Sequence, residues 1–273
     1  MNTMNAFAIH LSSAFRADLR NRQLLFLHYF FPLSFYFLVG FVMTEINPGF
    51  REIMIPAMVV FTTLATKMLG LPDPLVTARE AGIFRSYKIN GVPASHILII
   101  PALTSILHLS LVIAIILISA PLLFDAPLPT NWGGFVAVFL ASASAFSGIG
   151  VLIGVISSSS RGTVLWSQLI FLPSMLIGGV MIPYSMLPEA MQAFARVLPT
   201  PHAMNAYLDL AFNMSVDLPV EGSLAILVSS SILSFGLAGY LFNWDRQNQT
   251  RRGHPIWALL ALLPYVLGMV LMG

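Results

Sequence analysis

The sequence predicts an all-α polytopic membrane protein. It has six core spans, a shorter seventh apolar run at the C-terminus, an N-terminal interfacial helix, a charged cytoplasmic helix and an external re-entrant hairpin. Three observations predict this. Of 273 residues, 57% are hydrophobic and 9% charged, with a mean hydropathy of +0.84, whereas a soluble domain carries roughly a quarter charged residues. The apolar residues fall in runs of about 18 or more, enough to cross a bilayer. Lysine and arginine lie mostly to one side of those runs.

Composition also excludes. The net charge is +2 and the pI near 9.1, but the basic residues are scattered, so no nucleic-acid surface is implied. Cysteine is absent, which removes disulfides, thiolate metal sites and cysteine nucleophiles.

The chain reads as one transmembrane domain over 1–273. Residues 1–22 form the interfacial helix: Met4, Phe7, Ala8, Leu11, Phe15 and Leu19 recur at helical spacing, with Asn5, Ser12, Arg16 and Arg20 elsewhere on the circle. Such a helix lies on the cytoplasmic leaflet or contacts a cytoplasmic partner. Spans one and two fall within 24–71 (runs 24–44 and 53–71), spans three to five within 97–183 (97–124, 133–156 and 164–183), and span six at 223–242. The first run is too long for a signal peptide, and no small-residue cleavage site follows it in VMTEINPG. Pro32, Pro56, Pro101 and Pro173 sit inside runs, which neighbouring helices tolerate. The last run, 256–272, contains Pro264; it either spans or lies on the membrane.

With the N-terminus cytoplasmic, one side receives Arg16, Arg20, Arg22, Lys67, Arg79, Arg85, Lys88, Arg161, Arg246, Arg251 and Arg252; the other receives Arg51 and Arg196. Lys67 sits near the inner end of span two, where it can reach for the interface.

Between spans two and three, within the cytoplasmic segment 72–96, stands TAREAGIFRSYKINGVPAS, residues 77–95. Thr77 and Glu80 form a capping-box pattern. Arg85 and Lys88 follow in later turns, which suits the helix dipole. Asn90-Gly91 supplies a left-handed C-cap, Pro93 a stop, and Ser95 a cap for the next span. The stretch reads as an independent helix of about three turns. It is either an interfacial linker or a docking helix.

On the outer side, within 184–219, follows GGVMIPYSMLPEAMQAFARVLPTPHAMNAYLDL (residues 178–210). Met191, Phe194, Ala195 and Leu198 share one helical face, and Met204, Tyr207, Leu208, Ala211 and Phe212 another. Short one-faced helices separated by prolines suit a hairpin dipping into the outer leaflet.

These pieces together resemble the membrane subunit of a type-2 ABC transporter, the exporter permease family. Glu80, Gly82, Arg85, Lys88, Pro93 and Ser95 match its coupling segment, and Gly179, Val180, Pro183, Leu187, Pro188 and Pro199 its external hairpin. The resemblance covers about residues 1–243. The chain departs in lacking a lysine near the start of span three and in the extra run at its end.

The resemblance implies ATPase coupling through Glu80, Gly82, Arg85, Lys88, Gly91 and Pro93. It implies an external gate at Gly179, Pro183, Pro188, Phe194 and Pro199, and a substrate path past Phe30, Phe37, Phe41 and Met175. It further implies a dimer with a second permease subunit and two copies of a separate ATPase that bind ATP and Mg. The setting would be the cytoplasmic membrane of a bacterium or archaeon, and the cargo amphipathic or hydrophobic: a drug, lipid or glycan-lipid. This chain carries no Gly-x-x-x-x-Gly-Lys-Ser/Thr loop, hence no ATP site of that kind, and no catalytic, cofactor or metal residues are expected in it. The alternatives are an ion-coupled secondary transporter, which would want carboxylates within its spans, and a non-transporting membrane scaffold. His108, near the middle of span three, is either a neutral packing residue near Ser105 or Thr104, or a proton relay. In span four, Ala137, Ala141, Ser144, Ala145 and Gly148, with the Gly150/Gly154 pair, form small faces for packing within the subunit.

Overall fold

The computed structural model describes residues 3–216, 218–245 and 253–271. Every regular element among them is helical. Arg246, Arg251, Arg252 and Met272, and the side chains of Met4 and Asn5, lie outside the described residues.

The elements are α1 (Thr3–Asp18), α2 (Arg22–Ile46), α3 (Phe50–Glu80), α4 (Ile83–Ile89), α5 (Ala94–Phe124), α6 (Trp132–Ile156), α7 (Ser160–Ile177), α8 (Glu189–Ala195), α9 (Pro199–Leu210) and α10 (Val220–Leu241). A 3₁₀ run (Pro255–Leu262) leading into α11 (Leu263–Leu271) completes the chain. Asn21 starts α2: its side-chain oxygen accepts from the backbone N–H groups of Gln23 and Leu24 at 3.0 and 3.2 Å.

Five of these, α2, α3, α5, α6 and α10, are long and apolar enough to cross a membrane. The expected span at 164–183 is the exception. Its helix, α7, is shorter than the run and carries Arg161 and Gln168. It stops at Ile177 because Gly179 turns the chain at φ +81°.

Two π-helical turns interrupt the long helices, Phe26–Phe30 in α2 and Thr66–Gly70 in α3. Each ends two residues before a proline. Pro32 lacks an N–H and would crowd the carbonyl of His28; Pro72 would crowd that of Met68. Widening the preceding turn relieves the clash without ending the helix.

Packing places α3 at the centre. Its most apolar stretch is 89% buried, against 28% for α2 and for α10. α6 supplies the close approaches. A Cβ on Gly150 would stand 2.5 Å from the Lys67 carbonyl of α3, and one on Gly148 would stand 3.0 Å from Ser234 Cβ of α10. The small face of span four therefore serves packing within the chain, with α3 on one side and α10 on the other.

The last run returns alongside α10, antiparallel to it. Gly253 lies against Tyr240 and Leu241 at one end of α10, and Gly268 against Ile226 near the other. Eight 3₁₀ residues and nine α-helical ones, at about 2.0 and 1.5 Å each, give a length of about 30 Å.

The chain thus has two ends. At one, the residues after α3, α6 and α10 lie together, and α4 and the start of α5 meet the start of α1. At the other lie the 178–219 segment and the turns after α2 and α5.

Candidate functional site

The segment 72–93 departs from its expected form. Thr77 caps nothing, because α3 runs without a break from Phe50 to Glu80. Its last turns begin at Pro72, not at Thr77. The break comes at Gly82, whose φ is +74°, and a separate two-turn helix, α4, follows. Ser95 lies inside α5, which begins after Pro93 with no side-chain cap.

The end of α4 does follow the sequence reading. Gly91 takes φ +72°. The Val92 N–H bonds the Tyr87 carbonyl at 2.9 Å and the Gly91 N–H bonds the Lys88 carbonyl at 3.2 Å. This is a Schellman cap, and the left-handed residue it requires is most cheaply glycine.

Three contacts hold α4 against the rest of the chain. Phe84 is buried, its ring 5.6 Å from that of Phe242 beyond α10. Arg85 pairs with Asp245, so this charge faces its own chain. Tyr87 meets the His10 ring of α1 at 5.5 Å. Arg79, at the end of α3, is buried and donates to the carbonyls of Val155 (2.8 Å) and Ser157, capping α6. With α4 so fixed, Glu80, Gly82, Ser86, Lys88, Ile89, Gly91 and Pro93 stay exposed. Ile89 is 79% exposed and Ile83 42%, an apolar face beside a lysine at the basic end.

At the opposite end, Gly178 and Gly179 turn the chain out of α7, Pro188 precedes α8, and Pro199 is the first residue of α9. Pro183 leads into a single 3₁₀ turn (Tyr184–Met186). The Tyr184 hydroxyl accepts from Arg196 Nε at 2.9 Å and donates to the Gln192 carbonyl at 3.1 Å. Thr200 Oγ1 donates to the Ser174 carbonyl of α7 at 3.1 Å. Asn205 bonds the backbone of Leu218 through both its amide atoms, at 2.6 and 3.1 Å. The expected face on α9 is buried at Met204, Tyr207, Ala211 and Phe212. The one expected on α8 divides: Ala195 and Leu198 point inward, while Met191 and Phe194 are exposed.

Of the four residues expected along a substrate path, the structure brings two together. Phe30 and Phe37 line an open apolar groove of about 690 Å³ on α2, with Phe26, Tyr29 and Leu33, and with Arg22 at the N-terminal end of the helix. Phe41 instead packs on Phe124 at 5.0 Å, and Met175 packs half-buried against the core.

Two buried polar residues behave otherwise than expected. Lys67 does not reach the interface. It is fully buried in the second π turn, where Nζ bonds Ser105 Oγ at 2.5 Å and the Ala102 carbonyl at 3.5 Å. His108 is buried and hydrogen-bonded, but its partner is not Ser105 or Thr104: Nδ1 bonds the Tyr29 hydroxyl at 2.7 Å. His28, buried in the first π turn beside it, drew no notice in the sequence, where nothing but the nearby Pro32 signals an irregular turn.

The family model described as ABC-2 type transporter matches residues 5–212, from α1 through α9. A protein of Bacillus subtilis (strain 168), "Putative transport permease YvfS", is 23% identical over 243 residues, which cover 87% of this chain and 97% of that one. No solved structure matches.

Proposed function

Since the chain belongs to the ABC-2 type transporter family, a family of multi-pass membrane proteins, we propose that it is the permease subunit of an ATP-driven exporter. A separate ATPase would bind the ATP and Mg, and two ATPases would act on a pair of permease subunits in the cytoplasmic membrane of a bacterium or archaeon. The cargo would be amphipathic or hydrophobic and would pass the groove at Phe30 and Phe37. Gly179, Pro183, Pro188, Phe194 and Pro199 would shape the external gate.

The observation that carries this reading is the standing of α4. Phe84, Arg85 and Tyr87 fix it to its own chain, yet Ile83, Ser86, Lys88 and Ile89 are exposed at the basic end. An exposed apolar patch beside a cation, on a rigidly held helix, suits a protein partner better than open water. Capped at both ends by glycine turns at 82 and 91, α4 can pass a push to α3 and α5, its neighbours in the chain.

The length of the last run supports a seventh crossing. About 30 Å laid against α10 matches the hydrocarbon thickness, and would put the C-terminus outside if the N-terminus is inside.

The deciding experiment is co-purification with a candidate ATPase, followed by ATPase and transport assays in proteoliposomes. Lys88→Glu with Ile89→Asp is expected to abolish complex formation while the permease still inserts. An unaltered complex and full transport would overturn the assignment of α4.

A further inference from the structure

The groove on α2 is apolar along its length and charged at one end. Phe26, Phe30, Leu33 and Phe37 recur at helical spacing on one face and line it, and the rings of Phe26 and Phe30 stack 5.3 Å apart. The Tyr29 hydroxyl is taken by Nδ1 of His108 at 2.7 Å. Arg22, the first residue of α2, is the charged residue among those lining the groove, and it is exposed. None of the ion pairs among the described residues involves it. Asp18, the acidic residue nearest to it in sequence, stands instead 3.7 Å from Nε2 of His108. The backbone donors that open α2 are taken as well, since the Asn21 side chain accepts from the N–H groups of Gln23 and Leu24. The guanidinium is therefore the donor that an arriving anion would meet.

We propose, on the reading of this groove as the cargo path, that its cargo carries a negatively charged headgroup: Arg22 holds the head while the apolar tail lies over Phe26, Phe30 and Phe37. A volume of about 690 Å³ is that of a ligand site, within the usual range of about 300–1,000 Å³. From Arg22 to Phe37 the helix rises about 22 Å, more than half of a hydrocarbon layer about 30 Å thick. A tail that reaches the middle of the bilayer thus fits with its head at Arg22. The long arginine stem lets the guanidinium reach the water boundary beside the groove. There its fixed fork of donors suits a phosphate or a carboxylate. A cationic head would be repelled at that point, and a neutral one would leave the guanidinium without an ion-pair partner. Arg20 is exposed too but lines no part of the groove. It therefore separates recognition by Arg22 from the general positive charge of this end of the chain.

The native chain has no cysteine, which allows the groove to be read directly in the full-length protein in phosphatidylcholine nanodiscs. Leu33→Cys lies half-buried in the groove. Leu107→Cys, at an exposed position on α5, lies about as far from the start of its own helix. The N-ethylmaleimide labelling rate of the first is divided by that of the second, which cancels changes in surface charge and thiol ionisation. Dodecyl phosphate and dodecyltrimethylammonium are added in turn, at equal mole fraction in the bilayer. Dodecyl phosphate is expected to lower the ratio several-fold, and dodecyltrimethylammonium to leave it near its starting value. Arg22→Gln should abolish the protection, Arg22→Lys should keep part of it, and Arg20→Gln should leave it intact. Both arginines are exposed, so neither variant threatens the fold. Ser34→Cys, exposed in the same groove, repeats the measurement if Leu33→Cys disturbs the packing. Equal protection by the two amphiphiles overturns the proposal, as does protection that survives Arg22→Gln or is lost equally in Arg20→Gln. No ATPase is needed. A charge preference without an ATPase complex would keep the sign of the groove and lose the exporter reading, and a complex without the preference would do the opposite.

Discussion

Arg85 and Asp245 form an ion pair across 160 positions of sequence, tying the helix after α3 to the segment after α10. With the neighbouring Phe84–Phe242 contact, it makes the placement of α4 a property of both ends of the chain.

Breaking the pair should loosen α4 more than it destabilises the fold. Arg85 is over half exposed, and an exposed pair contributes at most about 1 kcal/mol. Asp245→Arg is expected to raise protease cleavage between 81 and 93 and to weaken coupling; Asp245→Arg with Arg85→Asp should restore both. Digestion of the single and double variants checks this. No recovery in the double variant would mean that the pair does not set the position of α4.

Gly91→Val should act on direction rather than on docking. A Cβ there meets open space, so the cost is the backbone's: about 1–2 kcal/mol for a left-handed residue with a Cβ. Complex formation with the ATPase is expected to survive while transport per ATP hydrolysed falls. Gly91→Asn, which tolerates that conformation, should be milder. Equal coupling ratios in all three proteins would sink this prediction.

Single cysteines report the side of the membrane. Ser86→Cys and Ser185→Cys are both at exposed positions. An impermeant thiol reagent should reach Ser86→Cys only from the cytoplasm and Ser185→Cys only from outside. The reverse pattern would invert the orientation drawn from lysine and arginine.

The last run gives a fourth test. A reporter fused after residue 273 should be extracytoplasmic, and Gly268→Leu should reduce that fraction, because Ile226 leaves no room for a side chain there. A cytoplasmic reporter in the parent protein would mean that the run does not cross.

The N-terminal end of α1 should loosen as pH falls. Burial first, and then His96 nearby, lower the His10 pKa below its ordinary value. The neutral ring is thus favoured in the docked state. Docking is intact above the ordinary imidazole pKa near 6.5 and is lost as pH falls through the depressed value. A spin label at Ile9→Cys should become more mobile on acidification, and His10→Gln should remove that response. Mobility independent of pH would show that His10 does not govern the docking.

Much of the architecture could be read from composition and run length, because a bilayer demands long apolar helices whatever their neighbours. Gly91 was legible too, since a left-handed cap is decided by a few adjacent residues. The helix start assigned to Thr77 and Glu80 was not: a capping pattern is local, and a helix already running through Pro72 from the core leaves it no start to cap. Arg85–Asp245, Tyr29–His108 and Lys67–Ser105 join residues far apart in sequence, so no spacing rule could reveal them. The π turns had only the prolines behind them as a signal.

The tight winding of the Pro255–Leu262 run bears on the lipid around the protein. The run gains length from 3₁₀ geometry, and rewinding its eight residues to an α-helix would shorten it by about 4 Å. That is comparable to the difference in thickness between natural bilayers, where each ångström of hydrophobic mismatch costs a fraction of a kcal/mol. If the C-terminal run crosses as proposed, a thick bilayer would favour its extended winding and a thin one its compact winding, with α10 beside it as the fixed rule.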